Sequence, residues 1–149
     1  MKIDVQGAEK MVFENGIELL RDIMVIDTEV EFVPLYQNQP LFGDVDACLR
    51  ENGFLFHKFN GLAGRCFKPL LVNNNPNVPL SQLLWSDVVY VKNFLQLSHP
   101  PQKLLKCAAV LHEVYQSFDF SHYILAAYDK ATGSNYASRY LREVLNVTM

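Results

Sequence analysis

The first third of this 149-residue chain holds the residues whose types and spacing could do chemistry. In "KIDVQGAEK", residues 2–10, Asp4 ends a short strand-like run and Gly7 follows as the turn into a helix. In open α/β sheets, such strand-to-helix corners are where ligands bind. A carboxylate at that point can stabilise a positive charge or accept a proton from a hydroxyl. It can equally cap the helix that follows. Glu9 falls in the first turn of that helix, where a negative charge complements the helix dipole without any ligand. In "IMVIDTEVEF", residues 23–32, Asp27, Glu29 and Glu31 alternate and so share one face of a strand. Burying unpaired carboxylates is costly, and functional sites are where such residues are kept. The competing expectation is an edge strand with one solvated face, which would explain all three acids.

Regular elements must position these side chains. After Gly7, Ala8, Met11 and Val12 recur at helical spacing and Gly16 is the expected C-cap. "IELLRD" adds another helical turn or two. The β-branched run 23–32 has the pattern of a strand buried on both faces. Pro34 and Pro40 mark a loop, and "LFGDVDACLRENG" follows as a helix with Leu41, Val45, Cys48 and Leu49 on one face. "FLFHKF" (54–59) reads as a strand. Residues 60–80, rich in glycine, proline and asparagine, read as an exposed loop with a short strand around "RCFKPLL". "SDVVYVKN" (86–93) is the last expected strand. Beyond Pro100-Pro101 the pattern is helical, with Leu104, Ala108, Leu111 and Tyr115 forming a stripe. "SHYILAAYDKA" and "NYASRYLREVL" follow, separated by "TGSN". The alternation predicts a parallel α/β sheet with an irregular far edge and a helical tail. It holds too few strands for a self-sufficient doubly wound domain.

Composition narrows the function classes. Half the residues are hydrophobic and only 19% are charged, a surplus that hints at apolar surface meant to be covered. The net charge of −3 provides no electrostatic footprint for nucleic acid. No apolar run reaches the roughly 20 residues of a membrane span, and Asp4 and Glu9 interrupt any signal-peptide core. Cys48, Cys66 and Cys107 resemble neither a disulfide framework nor a zinc site, which leads us to expect a reduced, cytoplasmic protein. His112-Glu113 begins a zinc-protease pattern, but Gln116 stands where the second histidine is needed. His57, His99 and His122 are isolated, and the tail's aromatic residues fit a core or interface better than an acceptor pocket. Asn146-Val147-Thr148 is formally a glycosylation sequon, irrelevant in a cytoplasmic chain.

Four segments in register carry a family resemblance. "KIDVQGAE", the strand ending in "EVEFVPLY", "QPLFGDVDACLRENGF" and "WSDVVYVK" together resemble the C-terminal half of the FkbM family of S-adenosylmethionine-dependent methyltransferases. The resemblance covers about residues 2–93, and the tail carries no part of it. It implies a Rossmann-like sheet of seven strands with "KIDVQ" as the fourth. Residues 1–95 would then be the C-terminal half of that domain, and residues 96–149 a helical C-terminal extension. Gln6 departs from the glutamate many members carry at its position. The family's glycine-rich GxGxG turn, which holds the methionyl part of the cofactor, has no counterpart in these residues, nor has the ribose-binding acid. The expectation is therefore a fragment.

The resemblance also implies roles. Asp4 would face the cofactor's sulfonium and the acceptor, with Gly7 beside it in the cofactor turn. Catalysis falls to Asp4 and Glu29, and acceptor contacts to Glu9 and Glu31; no metal is expected. Two functions follow. One is an O-methyltransferase acting on a hydroxyl of a sugar, glycan or natural product. The other is a non-catalytic interaction module that forms a homo-oligomer through the exposed edge of the first strand.

Overall fold

The computed structural model describes residues 1–146, so Val147 and Thr148 of the sequon lie outside the described residues. The chain divides into two compact units, Met1–Asn93 and Phe94–Met149.

The first unit is a mixed sheet of five strands with helices on one face. Strand β1 (Lys2–Ile3) leads through a tight turn into α1 (Glu9–Asn15), α2 (Ile17–Leu20) and β2 (Val25–Glu31). Helix α3 (Phe42–Glu51), β3 (Phe54–Phe59), β4 (Ala63–Gly64) and β5 (Leu83–Lys92) follow. The strands lie in the order β1-β2-β5-β3, and β4 also pairs with β5.

The expectation of a parallel sheet with an irregular far edge is corrected at β5. β1 and β2 are parallel, but β5 runs antiparallel to both β2 and β3 and inserts between them. The strand at 54–59 is joined to β5 by residues 60–82, which hold β4 and turns but no helix, and the chain returns antiparallel to it. The anticipated strand around "RCFKPLL" is a turn, and only Ala63–Gly64 nearby joins the sheet. The mixed α/β architecture is compatible with a partial Rossmann-like fold.

Alternation on β2 separates two environments. Ile26 and Val30 point into a core built with Ile3, Phe13, Leu20, Val45, Leu49, Phe54, Val88 and Tyr90. Burying this apolar surface against α1 and α3 is what holds the helices on the sheet. An edge-to-face set of Phe32, Phe42, Phe56 and Phe59 extends it. Tyr90 is fully buried, and its hydroxyl donates to Asp46 Oδ1 at 3.1 Å. Burial, and then the Asp46 charge, raise its pKa. The Asp44 carboxylate reaches back to the Leu41 backbone N–H at 2.9 Å and fixes the start of α3.

The second unit contains α4 (Pro101–Glu113), α5 (Phe118–Thr132) and α6 (Tyr136–Glu143). The predicted stripe holds: Leu104, Ala108, Leu111 and Tyr115 are all buried. α5 ends at Gly133, whose left-handed conformation (φ 73°) is the one glycine adopts most readily. Asp129 then accepts from Ser134 Oγ and from the backbone N–H groups of Tyr136 and Ala137, at 2.6–2.8 Å. Those amides open α6 and have no partner inside their own helix, so the carboxylate supplies it. His112 Nδ1 lies 2.7 Å from the Tyr140 hydroxyl.

Candidate functional site

The turn between β1 and α1 is tightly built. Gln6 and Gly7 both have positive φ, 55° and 98°. The φ of 98° at Gly7 is one that glycine adopts far more readily than other residues, and a Cβ there would push the Gln39 side chain aside. Glu9 is almost fully buried and folds back over the turn. Its two carboxylate oxygens accept from the Val5 and Gly7 backbone N–H groups at 2.8 and 2.9 Å. The capping expectation for Asp4 does not hold, because α1 begins at Ala8 without a side-chain cap. Asp4 is exposed and accepts instead from Gln6 Nε2 at 2.7 Å.

Gln6 joins the two acidic segments. The same Nε2 donates to Glu29 Oε2 at 2.9 Å, which brings β2 to the turn. One carboxylate oxygen each from Asp4, Glu9 and Glu29 lies within 4.8 Å of the others. That spacing would suit a cation, yet both Glu9 oxygens are already engaged by backbone and the Gln6 amide bridges the other two residues. The chain's own donors thus meet both Glu9 oxygens and one oxygen each of Asp4 and Glu29.

The edge-strand alternative fails at Asp27, which lies between β1 and β5, while at Glu29 and Glu31, past the end of β1, β2 pairs with β5 alone. Asp27 is 4% exposed and Glu31 3%. Their environments differ. Lys2 Nζ bonds both Asp27 and Asp87, at 2.9 and 2.8 Å, and neutralises the inner part of the face. Burial works against the Lys2 charge, but the Asp87 and Asp27 hydrogen bonds overcome it and raise the ammonium pKa. Glu29 and Glu31 lie beyond the two-residue reach of β1. Burial, followed by the charges of Asp4, Glu9 and Asp87, raises the Glu29 pKa despite opposition from Lys2. Glu31 is pushed up to about 7, by burial first and then by the Glu9 and Glu29 carboxylates. Gln39 opposes this shift. Its Oε1 is taken by the Leu35 and Tyr36 N–H groups at 2.9 and 3.1 Å, and its buried Nε2 makes no well-formed hydrogen bond.

Glu29 and Glu31 open into a cavity of about 440 Å³. Gln6, Leu35, Tyr36, Arg65, Leu84 and Trp85 line it with them. Trp85 is directly opposite Glu31 in the β2–β5 register. The cavity combines two carboxylates whose pKa values are raised, that of Glu31 to about 7, with an indole and a phenol. That is a set suited to a polar, ring-bearing molecule.

The structure thus brings together Asp4, Gly7, Glu9, Glu29 and Glu31. It adds Gln39, Arg65 and Trp85, which sequence reasoning missed. The antiparallel register places Trp85 and the loop before β5 places Arg65, and no local pattern announces either. Lys2, distant from Asp27 in the chain, meets it only through the β1–β2 pairing.

One family comparison bears on this geometry. Residues 1–56 match the methyltransferase FkbM domain. The match runs from β1 into β3 and supports a methyltransferase at the level of the family. All five FkbM-aligned candidates, Asp4, Gly7, Glu9, Glu29 and Glu31, lie inside it, whereas Arg65 and Trp85 lie beyond it. No curated protein and no solved structure matches the chain.

Proposed function

We propose that this chain carries the acidic, acceptor-facing part of an S-adenosylmethionine-dependent O-methyltransferase site. The acceptor class is a hydroxyl on a sugar, glycan or natural product. The observation that carries the reading is the pair Glu29 and Glu31, held towards the protonated state at the mouth of a cavity walled by Trp85 and Tyr36.

The residues present fit the sulfonium end of the cofactor, a positive charge that exposed Asp4 and half-buried Glu29 can face. Asp4, Glu29 and the Gly7 turn would hold it, and when bound it supplies an electrophilic methyl group. This chain's residues supply orientation and charge, the terms that dominate an in-line displacement. Gln6 fixes Asp4 and Glu29 at one separation, and Glu9 locks the turn by taking its backbone N–H groups. Trp85 and Tyr36 orient a ring. Glu31, with its pKa near 7, takes the acceptor's hydroxyl proton, the match between pKa and working pH that general-base catalysis favours.

Isothermal titration of S-adenosylmethionine and S-adenosylhomocysteine into the chain, and into Asp4→Asn, tests this. Binding of the sulfonium cofactor that weakens about tenfold in Asp4→Asn agrees with the assignment. Equal affinities in both proteins would contradict it. A second reading, a homo-oligomerising module, is favoured by one observation: β1 has a strand on one side only among the described residues. Its edge is two residues long and offers few ladder hydrogen bonds to a second copy.

A further inference from the structure

The loop between β3 and β5 has a chemistry unlike the rest of the chain. Residues 52–86 contain no aspartate or glutamate but include Lys58, Arg65 and Lys68. The segment therefore carries +3, while the rest of the chain, with the remaining 10 basic and all 16 acidic residues, carries −6. Within this stretch, the loop between β3 and β5 carries Arg65 and Lys68 and turns large apolar side chains outward: Phe67 is 69% exposed, Leu70 60% and Leu71 52%, with Leu62 and Leu80 also exposed. Beside them Arg65 and Lys68 are exposed as well.

The loop is built, not slack. Cys66 Sγ lies 3.1 Å from the Val78 carbonyl, and the Arg65 guanidinium donates to Asn77 Oδ1 at 2.5 Å, so two limbs are tied together. A Cβ on Gly64 would overlap the Gln82 carbonyl at 2.1 Å, which shows how closely the limbs pack at their base. At the far end Val72 pairs with Asn75, and Asn73 and Asn74 take the left-handed conformation that asparagine tolerates. The limbs hold one another in place while Phe67, Leu70 and Leu71 project from the first.

We propose that this loop docks the protein on an anionic lipid bilayer, with Phe67, Leu70 and Leu71 entering the headgroup boundary and Arg65 and Lys68 meeting lipid phosphates and carboxylates. Exposed apolar groups beside two cations, with no acid between them, suit an anionic lipid interface, to which each Lys or Arg near the surface adds attraction. Five exposed side chains offer only a few hundred Å², less than the roughly 800 Å² a stable protein partner buries on each side. A bilayer needs no such complementary area. The −6 carried elsewhere would be repelled by the same membrane, which orients the protein with this loop foremost.

Flotation of the full chain with vesicles of phosphatidylcholine containing about 30% phosphatidylserine, at roughly 0.1 M salt, tests this against pure phosphatidylcholine. We expect at least about tenfold more protein on the anionic vesicles, loss of that binding in Phe67→Ser/Leu71→Ser, and a severalfold drop in Lys68→Glu. Circular dichroism of the variants should match the parent, because the altered side chains are exposed. Absence of flotation, flotation unchanged by the double substitution, or light scattering showing the loop consumed in self-association would each overturn the proposal.

Discussion

Asp129 and Glu31 are both carboxylates drawn partly out of water, and the fold treats them in opposite ways. Around Asp129 it assembles a serine hydroxyl and two backbone N–H groups at the start of α6, and these hold the pKa down against the cost of burial. Around Glu31, burial and two further carboxylates outweigh the Gln39 amide and the residue's own backbone N–H, and the pKa rises to about 7. Where a carboxylate is there for structure, its donors prevail. Where burial and like charge prevail instead, the residue is left able to change its protonation state near neutrality, as proton-transfer chemistry demands. The same contrast runs across β2, whose even positions fill the core and whose odd positions form the acidic face.

The largest effect should come from the core face. Ile26→Ala is expected to lower stability by about 3 kcal/mol, from lost burial and the cavity left behind, read by urea denaturation. A loss below about 1 kcal/mol would mean that β2 is less tightly held than its position implies. Next is Lys2→Met, which leaves buried Asp27 facing Asp87 without a cation. Because Lys2 is partly solvated, we expect about 2 kcal/mol, less than a fully buried pair would lose. Restoring Asp27→Asn in the same chain should recover part of it.

The third and fourth predictions separate the two carboxylates by pH. The folded pKa of Glu31 lies above its unfolded value, so its contribution is fully present below the unfolded pKa and is lost as pH rises through about 7. Glu31→Gln should remove that fall, a gain on the order of 1–2 kcal/mol at pH 8 and little change at pH 4. Asp129 shifts downward, so its contribution is present above the unfolded pKa and is lost as pH falls through the lower folded value. Asp129→Ala is expected to cost about 1 kcal/mol at pH 7, the worth of a helix cap, and to flatten the acid limb of the stability profile. Thermal unfolding across pH 3–9 would check both. Identical profiles for the two variants would erase the distinction.

Much of the fold could be read from local pattern. "FLFHKF" became β3 at the expected bounds, and Gly16 ended α1, because periodicity and glycine punctuation act over a few residues. The direction of β5 could not be read that way, since strand polarity depends on the connection and not on the strand's own residues. The candidate site divides similarly. Alternation placed Asp27, Glu29 and Glu31 on one face, but β2's interior position, the Lys2 clamp and the Gln6 bridge exist only once β1, β2 and β5 are assembled. Glu9 shows the limit most plainly: a first-turn acid suggests a dipole role, and the structure spends both its oxygens on the preceding turn.

The most direct test is a pH titration of the glutamate side-chain carboxyl carbons by ¹³C NMR, assigned with Glu31→Gln and Glu29→Gln. The account predicts a resonance that titrates near pH 7 and vanishes in Glu31→Gln, with Glu29 also above the normal range. If Glu31 instead titrates near 4.3, as an ordinary solvated glutamate does, the acidic face of β2 is not poised for proton transfer and the central claim fails.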